Sequence, residues 1–504
     1  MNGNFAADLQ AVFASHGQRP ALRMADGEIW TYTHLAERTA RLATVLAQVG
    51  VAPGDRVLAQ VGKTPEAVAL YLATLQAGGV YVPLNAAYTA AEVAYFLADA
   101  QPRLFVRDPA SADVAGGHGG WAVLTLGAGG GSLVQAMNAA KPCHDVAECN
   151  GDDLAALVYT SGTTGRSKGA MLTHDNIRSN AVALRRCWGW RDDDVLLHAL
   201  PLFHVHGLFI ALHCALLGGT PTIFLPRFDV DAVKRHLPES TVMMGVPTFY
   251  TRLLEDADFG RRHCGGVRVF ISGSAPLTPA TFDAWQARTG HRILERYGMS
   301  ETIINTSNPL HGERVAGSVG FALPGVSVRV AGETGEPLPP GEVGGIEVRG
   351  ENVFKGYWRQ PDKTAEEFRP DGHFITGDLG VLDAEGRLSI VGRARDLIIS
   401  GGYNVYPKEV ESVIDELDAV AESAVIGLHH PDFGEGVVAV IVPSGDSVSA
   451  AQVSAFLEGR LARFKQPKQV VNVEALPRNS MGKVQKNRLR EEFSGLFPST
   501  SRAI

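Results

Sequence analysis

Eleven consecutive residues, Tyr159-Thr-Ser-Gly-Thr-Thr-Gly-Arg-Ser-Lys-Gly169, hold three glycines, five aliphatic hydroxyls, an arginine and a lysine. They follow directly on the apolar run Leu154-Ala-Ala-Leu-Val158, which reads as a buried strand. Glycines let backbone N–H groups turn toward a ligand. Hydroxyls donate further hydrogen bonds, and Arg166 and Lys168 add positive charge. This is the composition of a phosphate cradle at the C-terminal end of a strand, where α/β folds bind ligands. The order Gly-x-x-x-x-Gly-Lys-[Ser/Thr] is absent, which disfavours a P-loop NTPase.

The rest of the chain fits an α/β class. Residues 33–50 predict an amphipathic helix, with Leu35, Leu42, Val45, Leu46 and Val49 near helical spacing, Thr33 as cap and Gly50 as stop. A strand is expected at 56–61, and short apolar runs at 222–225, 242–246 and 267–271 alternate with helical stretches. That alternation implies mixed, mostly parallel sheets covered by helices. The glycine-rich stretches 116–120 and 127–131 read as surface loops, and Asp192-Asp-Asp194 as a solvated turn. A chain of 504 residues exceeds one core. The texture changes at the polar segment Gly392-Arg-Ala-Arg-Asp396. Beyond it, strand patterns at 424–427 and 437–442 and a helix pattern at 449–461 mark a small α+β domain. The expected division is 1–392, a hinge at 393–397, and a mobile domain at 398–504.

Several function classes drop out. A net charge of −8 gives a nucleic-acid partner no electrostatic support. The five cysteines, Cys143, Cys149, Cys187, Cys214 and Cys264, show no metal-type spacing and fit free thiols in a reducing cytosol. The N-terminus has no basic region followed by an apolar core, and no apolar run reaches the ~18 residues of a membrane span. The expected location is cytoplasmic, with no membrane partner.

Four further segments carry chemistry. In Glu295-Arg-Tyr-Gly-Met-Ser-Glu-Thr302, Tyr297 offers a stacking face, Glu301 a hard oxygen for Mg2+ and Thr302 a hydroxyl for phosphate. Ser272-Gly-Ser-Ala-Pro276 follows a strand and can bring backbone to a nucleotide. In Thr376-Gly-Asp-Leu379, Asp378 can accept from two ribose hydroxyls, with Arg393 after Gly392 nearby. Asn479-Ser-Met-Gly-Lys-Val484 puts Lys483 beyond a glycine. Singly, each reads as a cap, a turn or a solvated lysine.

Together, in this order and spacing, they resemble the adenylate-forming superfamily of acyl-CoA synthetases, luciferases and peptide-synthetase adenylation domains, over residues 31–489. The resemblance implies an active site between a large and a small domain and two half-reactions, adenylation of a carboxylate by Mg-ATP and transfer of the acyl group to a thiol, usually CoA. It implies an ATP site built from Thr160, Ser161, Gly162, Thr163, Thr164, Gly165, Lys168, Gly273, Ser274, Ala275, Glu295, Arg296, Tyr297, Gly298, Thr302, Asp378, Arg393 and Lys483. Glu301 and Thr160 would hold Mg2+. Lys483, Glu301 and Thr302 would act in catalysis, with Lys483 at the α-phosphate. Arg395 would be the hinge residue, where Asp or Lys is usual. Gly401 and Gly402 would line the CoA tunnel, and Arg463, Lys465 and Lys468 lie where CoA phosphates would pass. A lysine acetyltransferase acting on Lys483 is a further implied partner.

Arg252 is the one charged residue in the apolar helix pattern Val246-Pro-Thr-Phe-Tyr-Thr-Arg-Leu-Leu254. A guanidinium facing the acid pocket suits a second carboxylate. The segments Leu200-Pro-Leu-Phe-His-Val-His-Gly207, Met244–Arg252 and Arg296–Pro309 resemble the malonyl-CoA synthetase branch. That resemblance implies malonate or methylmalonate as substrate, bound by Arg252, His206, Ser274 and Met299. Ile303 and Ile304 depart from the branch, and the His204-Val-His206 pair reads as pocket wall rather than metal site. The alternatives are a synthetase for another short or aromatic acid, a stand-alone enzyme loading a carrier protein, and a non-catalytic nucleotide-binding protein.

Overall fold

The computed structural model describes residues 2–111, 120–160, 167–479 and 482–497. Its largest sheet has nine strands, and its middle is formed by Leu294–Tyr297, Val269–Ser272, Val242–Gly245, Leu196–His198, Thr222–Phe224 and Pro20–Met24 in that order, all parallel. A six-stranded sheet ends in an antiparallel pair, Leu154–Thr160 with Lys168–Thr173, in which Thr160 faces Lys168. The segment expected to cradle phosphate therefore joins two antiparallel strands. A four-stranded antiparallel sheet follows, formed by Val326–Ala331, Val343–Gly350, Phe374–Leu382 and Leu388–Arg393. The last sheet begins at Ile398–Ser400, and a single 3-10 turn, Ala394–Asp396, separates it from Leu388–Arg393.

Two apolar helical segments lie inside the large unit. Pro65–Gln76 is buried on every face from Ala67 onward, and the π-helix His206–Leu212 with its continuation His213–Gly218 is buried almost throughout. A helix apolar all round has to be covered on all sides. These two cover each other, with the Tyr71 hydroxyl 2.8 Å from His213 Nε2 and Tyr71 packed on Phe209. The helix expected at 33–50 runs Tyr32–Gln48, and Thr31 rather than Thr33 caps it, its side chain accepting from His34 N–H. Gly50, at φ 79°, supplies the left-handed residue beyond its end.

Asp194 corrects the reading of 192–194 as a solvated turn, because it is fully buried. Its carboxylate accepts from Arg268 Nε at 2.7 Å and Nη2 at 2.5 Å, from the Thr241 hydroxyl at 2.7 Å and from Arg191 N–H at 2.8 Å. The partner arginine is 74 residues away, so nothing local marks the burial. Among the described residues no helix is long and apolar enough to cross a membrane. Asp194→Ala would leave Arg268 unpaired beneath the surface, a change that typically costs about 3–5 kcal/mol. Urea unfolding should show this loss, and an unfolding midpoint equal to wild type would contradict the assignment.

Candidate active site

Four adjacent parallel strands, Leu196–His198, Val242–Gly245, Val269–Ser272 and Leu294–Tyr297, deliver the site residues from their C-terminal ends. His204 and His206, Thr248, Ser274, and the Gly298–Thr302 turn thus gather along one sheet edge. The turn is tightly constrained. A Cβ at Gly298 would stand 1.9 Å from Ile303 O, and Ile303, a β-branched residue, is buried at φ 55°.

On the phosphate side, Ser161, Gly162, Thr163, Thr164, Gly165 and Arg166 lie outside the described residues. The flanking residues are placed. Thr160 Oγ1 is 3.4 Å from Glu301 Oε1, and the Tyr357 hydroxyl lies 3.2 Å from Glu301 Oε1 and 2.8 Å from Glu367 Oε2. Buried Lys168 pairs with Glu367 at 3.6 Å and sits 4.9 Å above the Tyr357 ring. Burial raises the Glu301 carboxyl above its ordinary value, partly offset by its hydrogen bonds. Thr302 is fully buried and its hydroxyl has no partner among the described residues. The sequence reading missed Tyr357 and Glu367, because Tyr357 reaches Glu301 across 56 residues and no motif spacing marks it.

Asp378 and Arg393 face each other in register on adjacent strands, with Arg393 Nε 2.9 Å from Asp378 Oδ1. The Tyr297 hydroxyl donates to Asp378 Oδ2 at 2.6 Å. Alternation along Leu294–Tyr297 sends neighbouring side chains to opposite faces. Glu295 is buried on one face with its Oε1 lacking a hydrogen-bond partner among the described residues, and desolvation pushes its pKa up to about 8, partly offset by the Gly317 and Leu277 backbone.

Arg296 lies on the other face. It is buried, and its Nε and Nη2 have no hydrogen-bond partner among the described residues. Burial lowers its pKa toward about 9, which still leaves it charged at neutral pH. A Cβ at Gly273 would meet its guanidinium at 2.5 Å, so any side chain there would displace the guanidinium. His206 lies within reach of the Arg296 charge and is fully buried. Its Nδ1 is 3.1 Å from Ser274 Oγ, and its Nε2 has no partner. Ser274 holds this contact at φ 71°, and Ala275 beside it is half-buried. His204 senses both Lys483 and Arg296. Met299 is half-buried against the core.

Among the described residues Arg252 makes none of these contacts. It is exposed in the last turn of Pro247–Glu255, with no hydrogen bond or ion pair among the described residues. Its helix turns Tyr250 and Leu253 inward, and Arg252 shares its i, i+4 face with Thr248. The buried guanidinium is Arg296, a residue the motif reading had given to the nucleotide.

Residues 9–358 match the AMP-binding enzyme family and residues 409–483 its C-terminal domain. The chain belongs to the AMP-binding enzyme family. It is 34% identical to a malonate–CoA ligase of Arabidopsis thaliana, over 93% of this chain and 85% of the relative. It is 37% identical to a feruloyl-CoA synthase of an Amycolatopsis species, over 93% of this chain and 94% of the relative. Among solved structures, ATP-bound MatB from Rhodopseudomonas palustris superposes with a TM-score of 0.93 at 52% identity, covering 99% of this chain and 100% of that one.

Apo MatB of the same organism, at the same 52% identity and coverage, superposes at 0.83. At equal identity, this AMP-binding enzyme superposes better on the ATP-bound form. The position of Lys483 agrees. Its turn is closed by Lys483 N–H donating to Asn479 Oδ1 at 2.9 Å and Asn479 N–H to Lys483 O at 2.9 Å, and Gly482 packs near Thr248. Although the residue as a whole is exposed, the protein around its ammonium lowers its pKa, Arg393 and Arg296 act in the same sense, and Asp378 and Glu301 oppose them. Gly401 and Gly402, both left-handed and exposed, lie on a different part of the C-terminal domain, and Arg395 is exposed in the connecting turn.

Glu295 titrates differently in the folded and unfolded chain. The folded protein keeps the proton up to about pH 8, whereas an unfolded chain releases it near pH ~4.3. Stability contributed here is therefore present below the lower value and falls as pH rises between the two. Glu295→Gln should flatten the fall in melting temperature between those limits. Identical pH profiles for variant and wild type would refute the burial of a protonated carboxyl.

Proposed function

We propose that this AMP-binding enzyme is a malonyl-CoA synthetase that joins malonate to CoA through malonyl-AMP, using ATP and releasing pyrophosphate and then AMP. The carrying observation is the unpartnered buried guanidinium of Arg296 beside His206, with Lys483 acting on His204 from another direction. Two cations close enough for the Arg296 charge to lower the Lys483 pKa suit a short dianion, one carboxylate for each. A fatty or aromatic acyl group would leave Arg296 buried and unpaired, a costly arrangement. The malonate–CoA ligase relative supports this reading. The feruloyl-CoA relative at comparable identity shows that overall similarity does not choose the acid.

In the first half-reaction, one malonate carboxylate oxygen attacks the α-phosphorus of ATP. The new C–O–P bond forms as the α–β P–O bond breaks and pyrophosphate leaves. Negative charge grows on the phosphoryl oxygens, and Lys483 meets it, while Thr302 offers its free hydroxyl to phosphate. Such a placed donor is typically worth ~10²–10³ in rate. Asp378, held by Tyr297 and Arg393, receives the ribose hydroxyls. Glu301 and Thr160 fit Mg2+, since Glu301 is a buried carboxylate with no cation paired to it among the described residues and Thr160 beside it is a second oxygen donor. The ion would supply charge neutralisation on the phosphates. Arg296, His206 and Ser274 orient the distal carboxylate, and Met299 borders C2.

In the second half-reaction, the C-terminal domain turns about residues 393–397, carrying Lys483 out and the Gly401–Gly402 loop in. The CoA sulfur attacks the malonyl carbonyl, the C–S bond forms, the bond to AMP breaks, and the thiol proton passes to solvent. Acetylation of Lys483 would remove the charge the first step needs.

CoA-thiol consumption with ATP and a panel of mono- and dicarboxylates tests the reading. Wild type should use malonate over butyrate. Arg296→Met should raise the KM for malonate roughly a hundredfold or more with little change for ATP, whereas Arg252→Ala should stay within about threefold of wild type. The opposite ranking would return the role to Arg252, and a wild-type preference for butyrate would end the dicarboxylate reading. Lys483→Ala should abolish pyrophosphate release yet convert preformed malonyl-AMP and CoA to thioester. Equal loss of both steps would contradict its assignment.

A further inference from the structure

Lys63 is a charged residue that the adenylation chemistry leaves unexplained. It lies between the strand Arg56–Gln60 and the buried helix Pro65–Gln76. Among the described residues no carboxylate pairs with it. Its ammonium is 2.6 Å from His198 Nδ1 and 2.8 Å from His198 O, and sits 4.4 Å above the Phe224 ring. Burial lowers its pKa well below that of an ordinary lysine. Lys63 is half-buried, and a partly desolvated lysine without an acid costs some stability.

His198 closes the strand Leu196–His198 and is fully buried. Its Nε2 is 2.9 Å from Gly207 O. A carbonyl only accepts, so Nε2 carries the ring proton. Burial and the Lys63 charge keep the ring neutral, so Nδ1 is a lone pair and accepts from Lys63. Both ring nitrogens are therefore committed to a single tautomer. Gly207 is the second residue of the π-helix His206–Leu212, a rare geometry enriched at functional sites. The chain is pressed there, for a Cβ at Gly207 would stand 2.0 Å from Pro201 O. The residue immediately before it is His206, whose Nδ1 meets Ser274 and whose Nε2 is free beside Arg296.

We infer that Lys63 and His198 are positioning residues for the acid pocket: the chain Lys63–His198–Gly207 O fixes the start of the π-helix and so aims His206 at the carboxylate held by Arg296. The inference rests on the malonate reading. It makes the selectivity of the pocket depend on an ammonium that does not touch the substrate. It also assigns the two ring nitrogens of His198 separate duties, Nδ1 to anchor the ring and Nε2 to hold the backbone.

The test is steady-state kinetics with malonate and ATP on Lys63→Met, His198→Leu and His198→Gln. Lys63→Met keeps the stem and loses the donor. It should raise the KM for malonate about tenfold and leave the KM for ATP at the wild-type value. His198→Leu should do the same or more. His198→Gln keeps an N–H toward Gly207 O and should recover most of the loss. Unchanged malonate KM in Lys63→Met and His198→Leu would overturn the inference. Equal rises for malonate and ATP would also overturn it, because they would show general loosening of the fold. If His198→Leu does not fold, Lys63→Met and His198→Gln still carry the comparison. A wild type that rejects malonate would sink the substrate reading and this inference with it, whereas a wild type that uses malonate alongside unaffected variants would sink the inference alone.

Discussion

Holding a guanidinium out of water without a counter-ion is among the costlier things a fold can do, and Arg296 is held that way. Its surroundings are arranged to permit it. Gly273 removes the Cβ that would collide with it, and Ser274 takes a left-handed conformation that turns its hydroxyl to His206. Gly298 and Ile303 tighten the following turn. Strain and an unpaired charge gathered within a few residues are tolerable when a ligand completes the site.

The second constraint, on the proposed reading, is that one lysine has to serve a site on another domain. Lys483 comes from a short turn of the C-terminal domain, and the connecting segment is anchored on both sides. Arg393 pairs with Asp378 before the turn Ala394–Asp396, and Arg490 pairs with Asp396 at 2.7 Å at its end. Motion confined between two such anchors would move the domain as a body about Ala394 and Arg395. That suits a reaction in which the same cleft must first hold an ammonium at phosphate and then admit a thiol.

Much of the architecture was legible because parallel strands read as short apolar runs between helical stretches, as at 222–225 and 242–246. The family was legible as well, because hydroxyls, glycines and one or two charges at fixed order carried the resemblance that the family match bears out. The burial of Arg296 and the exposure of Arg252 were not. Arg252 stood out as the charge in an apolar helix, while Arg296 was hidden inside a motif, and which face of Leu294–Tyr297 met the pocket depended on tertiary register. Asp194 failed for the same reason: three aspartates in a row look solvated until Arg268 arrives from far along the chain. Pairings across long sequence separation, such as Tyr357 with Glu301 and Lys63 with His198, leave no local periodicity to read.

The central claim is that the guanidinium of Arg296 receives the carboxylate that is not adenylated. A crystal structure with malonate and a non-hydrolysable ATP analogue measures this directly. The account predicts the distal carboxylate at hydrogen-bond distance, about 3 Å, from Arg296 Nε or Nη2, with His206 beside it. A distal carboxylate paired with Arg252, or one in contact with no arginine, would contradict it.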